Sequence, residues 1–130
     1  MNLIESRLLG ISIDDAGREA SFSFINANGA KCCLQLRGVE RLLVTDFRQQ
    51  NVIEGLTHWT PGVPSTELRE AAFFLMTGVA EEGCDAALAA LAQNVIERVA
   101  RGELQLLEMT AIFGAQILAS FSSMSLQCEP

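Results

Sequence analysis

Four cysteines, a single histidine and sixteen carboxylates are the groups in this chain with the most chemistry to offer. Cys32, Cys33, Cys84 and Cys128 include no C-x-x-C pair, the spacing that zinc and dithiol redox sites use. Cys32 and Cys33 are adjacent, so within a strand they face opposite sides. All four are expected to be small buried apolar thiols of a reduced protein. No metal and no cofactor are expected. His58 stands beside the only Trp, Trp59, with no cluster of ligands around it in the sequence. A general base also needs a nucleophile within bonding reach. The run Ser120, Ser122, Ser123 and Ser125 supplies hydroxyls. It lacks the G-x-S-x-G elbow and any neighbouring base that would activate one. No phosphate loop, dinucleotide fingerprint or metalloprotease helix is present. The expectation is a protein without catalysis.

Charge is the stronger signal. The net charge is −7 and the nine basic residues are scattered. Without a basic patch the chain cannot neutralise phosphates, so nucleic acid is not expected as a partner. An acidic surface can steer a basic protein partner. The candidate partner-binding residues are Asp14 and Asp15, then Asp46, Arg48, His58 and Trp59, then Glu81, Glu82 and Asp85. Asp14 and Asp15 are only a pair, too few oxygen ligands for calcium, and read as turn residues. Glu81, Glu82 and Asp85 precede an apolar-periodic run, where a helix dipole favours them. A pocket gathering Asp46, Arg48 and His58 would support an alternative, a small-molecule binder or enzyme. Self-association into a dimer through a long final strand is another.

The elements that must position these groups follow from periodicity. One hundred and thirty residues, 49% of them apolar, suit a single domain spanning 1–130. No apolar run reaches the ~18 residues of a membrane span. MNLIESRLL lacks the pattern of a signal peptide, so a cytoplasmic, non-membrane protein is expected. Leu9, Ile11 and Ile13 alternate in a first strand. A loop of Asp14 to Gly17 would set Ile11 opposite Ala20 and Leu9 opposite Phe22. For the next hairpin, an Asn28-Gly29 two-residue turn would put Phe22 opposite Gln35 and split the apolar faces. A three-residue loop, Ala27-Asn28-Gly29, sets Phe22 opposite Leu34 and Phe24 opposite Cys32, with Gly29 left-handed.

Gly38 to Trp59 reads as a strand through Leu42, Leu43 and Val44. A polar loop with Phe47 as its buried anchor follows, with Asp46 and Arg48 as a local ion pair. The chain then returns through Val52 and Ile53, with a bulge at Gly55. Thr60-Pro61-Gly62-Val63-Pro64 is a connector. Ser65 or Thr66 caps a helix that Gly78 stops, and Asp85 caps a second that Gly102 ends. The second carries a stripe of Leu88, Leu91, Ala92, Val95, Ile96 and Val99, with Glu97 and Arg101 four apart. Residues 103–127 return to strands. Ile117, Ala119 and Phe121 lie on one face, and Leu118, Met124 and Leu126 on the other.

Two segments, GVERLLVTDFRQQNVI and GELQLLEMTAIFGAQILASF, resemble parts of small uncharacterised bacterial proteins with a sheet and a helical pair. Some proteins of that style resemble immunity proteins of toxin systems. The resemblance implies an α+β fold and a protein partner, and carries over no site residues. The expected architecture is α+β: an antiparallel β meander, a two-helix pair, and a C-terminal strand pair rejoining the sheet. The helices are expected on the sheet's Phe and Leu face. The expected core is Leu9, Ile11, Phe22, Phe24, Leu34, Leu36, Leu43, Phe47, Leu75, Leu88, Leu91, Val95, Val99, Leu106, Ile112 and Ile117.

Overall fold

Alternating apolar residues need a partner sheet face, and here they find it in each other. A computed structural model describes residues 2–62 and 65–130, which form eight strands and two helices. The strands are β1 (Arg7–Ile13), β2 (Glu19–Ile25), β3 (Lys31–Arg37), β4 (Arg41–Thr45), β5 (Asn51–Trp59), β6 (Gln105–Ile112), β7 (Gln116–Phe121) and β8 (Ser123–Cys128). The helices α1 (Thr66–Thr77) and α2 (Ala86–Ala100) lie between β5 and β6, joined through a single 3-10 turn, Glu81–Gly83. This is the α+β class that the periodicity implied. Residues 63 and 64 of the expected connector lie outside the described residues.

All pairings are antiparallel, in the order β4-β7-β6-β5-β1-β2-β3-β8. That order cannot be flat. β3 and β4 stand six strand spacings apart in it, about 29 Å on a flat sheet. Yet the chain from Arg37 to Arg41 reaches only about 14 Å. β7 and β8 stand equally far apart with only Ser122 between them. The sheet therefore curls on itself, and β3–β4 and β7–β8 are each one strand bent at the same corner. Gly38 makes that corner possible. Its φ is +66°, and a Cβ there would collide with the Ser122 side chain.

Curling encloses the first core. Leu8, Phe22, Phe24, Leu34 and Leu36 from one half meet Ile53, Leu107, Met109, Ile117 and Phe121 from the other. The helices do not cover the Phe-rich face, where the periodicity predicts them. They pack on the outer face of the other half, where Leu68, Ala72, Phe73, Val95, Ile96 and Val99 meet Leu106 and Leu118. β7 is consequently buried on both sides. The bend at Ser122 also resets the alternation. Met124 and Leu126 pack on the first core with Phe121, not on the Leu118 side.

The β2–β3 hairpin has the face-matched register, Phe22 opposite Leu34 and Phe24 opposite Cys32, with Gly29 at φ +84°. Ser65 accepts from the Leu68 N–H at 3.0 Å and Asp85 from the Leu88 N–H at 2.9 Å. Gly78 is left-handed after α1. In the first hairpin, Ile11 pairs with Phe22 and Ile13 with Ala20, two residues from the expected register. A bulge between Leu8 and Gly10 turns Leu9 outward, where it is exposed rather than in the core. Phe47, Leu88, Leu91 and Ile112 are also exposed, against expectation.

Arg98 secures α2 to the β3–β4 corner through a two-pronged bond to Glu40, at 2.8 and 2.7 Å. Arg101, expected to pair with Glu97, pairs with Glu103 instead. The Arg98 guanidinium holds the Glu40 carboxyl below the usual carboxylate range. A carboxyl lowered on folding stabilises above its unfolded pKa, and loses that contribution as pH falls through the folded value. Replacing Arg98 with Met should therefore lower the urea midpoint at neutral pH. The gap from the parent protein should narrow in strong acid. A gap of constant size across that range would show that packing, not charge, carries the effect.

Candidate partner-binding face

The sequence-derived candidates divide into three places. Asp14 and Asp15 lie in the β1–β2 turn. The Asp14 carboxylate accepts from the backbone N–H of Arg18 at 2.7 Å and of Glu19 at 2.9 Å. Those donors, Glu19 first, hold its pKa below the ordinary value. Asp14 is thus occupied by the turn, and Asp15 is exposed beside it.

Asp46 and Arg48 lie in the loop before β5, whereas His58 and Trp59 lie at its far end. His58 stands seven residues along the strand from Asn51, about 23 Å. The chain therefore does not assemble a pocket from Asp46, Arg48 and His58. Nor do Asp46 and Arg48 bond to each other among the described residues. The buried anchor of that loop is Asn51, 0% exposed, and not Phe47. His58 is half-buried and stacks on Phe121 at 6.1 Å. Its Nε2 bonds Gln105 Oε1 at 2.7 Å. Gln105 donates its own amide to the Ser122 carbonyl at 2.8 Å, so Oε1 is left to accept and the proton sits on His58 Nε2. An imidazole used this way braces β5 against the corner. Trp59 packs with the helical core. Ser120 is buried and its hydroxyl accepts from the Arg41 N–H at 3.1 Å. No group of three metal-binding side chains occurs among the described residues.

Glu81, Glu82 and Asp85 lie in the α1–α2 connection, and here the surroundings are unusual. Glu81 pairs with Arg69. Arg69 also donates to Gln93 at 3.0 Å and lies 5.1 Å from the centre of the Phe73 ring. Glu81 thus joins α1, α2 and the connection. Asp85 caps α2, while Glu82 is exposed with no ion-pair partner among the described residues. Immediately after them, residues 86–96 carry no charge. Ala86, Ala87, Leu88, Ala90 and Leu91 of that run are exposed, Leu88 at 36% and Leu91 at 46%. Val79, just before the carboxylates, is 41% exposed. A helical stretch apolar nearly all round is normally buried. This helix packs against α1, over Leu106 and Leu118, by Ala92, Val95, Ile96 and Val99, and leaves most of its first two turns bare. An apolar centre with an acidic rim has the anatomy of a protein interface. The uncharged run 86–96 was legible in the sequence; its exposure was not.

The cysteines stand apart from this face or serve its framework. Cys84 is half-buried and its thiol donates to Thr77 Oγ1 at 3.3 Å, tying the connection to the end of α1. Cys33 is exposed, and Cys32 forms a disulfide with Cys128. The expectation of four buried apolar thiols therefore fails. No helix among the described residues is long and apolar enough to cross a membrane. No family model, curated protein or solved structure matches the chain.

Proposed function

We propose that the chain is a non-catalytic binding module whose acidic α1–α2 connection and bare α2 face dock a basic protein. The observation that carries this reading is the exposed, uncharged first half of α2 next to Glu81, Glu82 and Asp85. Exposed apolar patches rimmed by polar groups mark interaction sites. The net charge of −7 adds long-range attraction for a basic surface. A toxin-system immunity protein, which acts by binding, is one kind of protein that fits.

The test separates rim from centre. Glu82 is the clean rim position, because reversing Glu81 would also break its bond to Arg69. A basic protein captured from a lysate of the source organism at low salt serves as the probe. Its association rate should fall several-fold with Glu82→Lys and with added salt, because rim charges act on encounter. Leu91→Asp should leave that rate nearly unchanged and speed dissociation by at least about 30-fold, as loss of a central anchor does. A partner indifferent to both substitutions would sink the reading, as would turnover of a small molecule by the protein alone.

A further inference from the structure

We propose that the tip formed by the β4–β5 loop and the β6–β7 hairpin is a self-association surface, which takes a second copy of this chain around a two-fold axis. The first observation is Phe113. It sits in the hairpin at φ +53° and is 88% exposed. A bulky side chain is strained in the left-handed region, where glycine is at ease. Exposed to that degree, the ring returns little packing to the fold. Strain of this kind persists where something other than stability needs the side chain.

Phe113 is not alone. Ile112 is 43% exposed and Phe47 47%. Val52 pairs with Ile112 across the strands. Arg48, Gln49, Gln50, Val52, Ile112 and Phe113 line one shallow groove, with Phe47 next to Arg48 in the loop. The two segments are held as one body by the buried Asn51. Its Oδ1 accepts from the Arg48 N–H and from the Ala115 N–H, each at 3.0 Å, and its amide donates to the Arg48 carbonyl. Gly114 leaves the necessary room, since a Cβ there would come within 2.7 Å of Asn51 Oδ1. A surface fixed in this way loses little entropy on binding.

The charges choose the occupant. Asp46 and Arg48 flank Phe47, both exposed, and neither has an ion-pair partner among the described residues. In a two-fold contact, residue i of one copy meets j of the other, and j meets i. An axis passing close to Phe47, between the two charges, brings Asp46 of each copy toward Arg48 of the other, twice. A second copy brings that matching pair by construction. A foreign protein would have to reproduce it. Few large side chains make up the patch, and a contact this limited gives a weak, concentration-dependent dimer.

Sedimentation velocity up to about 1 mM protein reads such weak association directly. The parent protein should show a reversible monomer–dimer equilibrium. Phe113→Gly should weaken it at least tenfold while the melting temperature stays the same or rises, because glycine relieves the left-handed position. Arg48→Asp alone and Asp46→Arg alone should each be monomeric, with like charges facing across the axis. An equimolar mixture of those two variants should dimerise again, since both cross-pairs are then opposite in sign. Leu91→Asp should leave the equilibrium unchanged. A parent protein that stays monomeric at the highest concentration overturns the proposal. So does a dimer that ignores Phe113→Gly, or a mixture that fails to restore association.

Discussion

Phe121→Ala is expected to destabilise the protein by about 3–5 kcal/mol, the cost of removing a fully buried aromatic ring and leaving its cavity. Phe121 is 0% exposed and belongs to the core that the two halves of the curled sheet share. It is also the ring on which His58 stacks. Domains of this size are typically stable by about 5–15 kcal/mol, so the loss would take a large fraction of the total. Phe47→Ala is the matched control. That ring is 47% exposed, and its removal should cost about 1 kcal/mol or less. Urea unfolding of the three proteins decides the matter. Equal losses for the two substitutions would mean that the sheet does not close over Phe121.

Breaking the Cys32–Cys128 disulfide should cost about 2–4 kcal/mol, the usual range for a native cross-link. The bond spans 96 residues of sequence, so it removes much loop freedom from the unfolded chain. Its position follows from the ladder between β3 and β8. The Glu129 N–H donates to the Lys31 carbonyl, so the next pair, Cys32 with Cys128, does not exchange backbone bonds. Side chains lie closest at such pairs. Cys128→Ser should lower the urea midpoint under oxidising conditions, and added reductant should bring the parent protein down to match it. Cys33→Ser removes the neighbouring exposed thiol and should change neither value. A parent protein whose midpoint ignores reductant would show that the two thiols are not joined.

The contrast between Cys32 and Ser65 shows which features a linear reading can reach. Ser65 caps the Leu68 N–H three residues on, and Asp85 does the same for Leu88. Both bonds depend on neighbours only, so helix starts were legible. The β2–β3 hairpin was legible too, because a short loop and two apolar faces leave one register that satisfies both. The pairing of Cys32 depends on β8 arriving beside β3 from the far end of the chain, and no spacing rule anticipates that. Leu9 shows a smaller failure of the same kind. A bulge one residue long moves it from core to surface, although its alternation with Ile11 and Ile13 is unbroken in the sequence.

The candidate site divides along the same line. Composition by itself determined the acidic balance, and local pattern determined that Glu81, Glu82 and Asp85 would cluster before a helix. Periodicity determined that α2 would carry a stripe from Leu88 to Val99. Only the tertiary structure decided that α1 and the cluster beneath it cover the second half of that stripe and leave Leu88 and Leu91 bare. It also decided that Asp46 and His58 stand at opposite ends of β5, and that Asn51 is the anchor of the loop where Phe47 was expected. The physical reason is range. Capping, turn chemistry and amphipathic spacing act over a few residues and are written in the chain. Burial depends on which distant surface is there to cover a side chain, and that is settled only when β3–β4 and β7–β8 bend round a common corner and close the sheet.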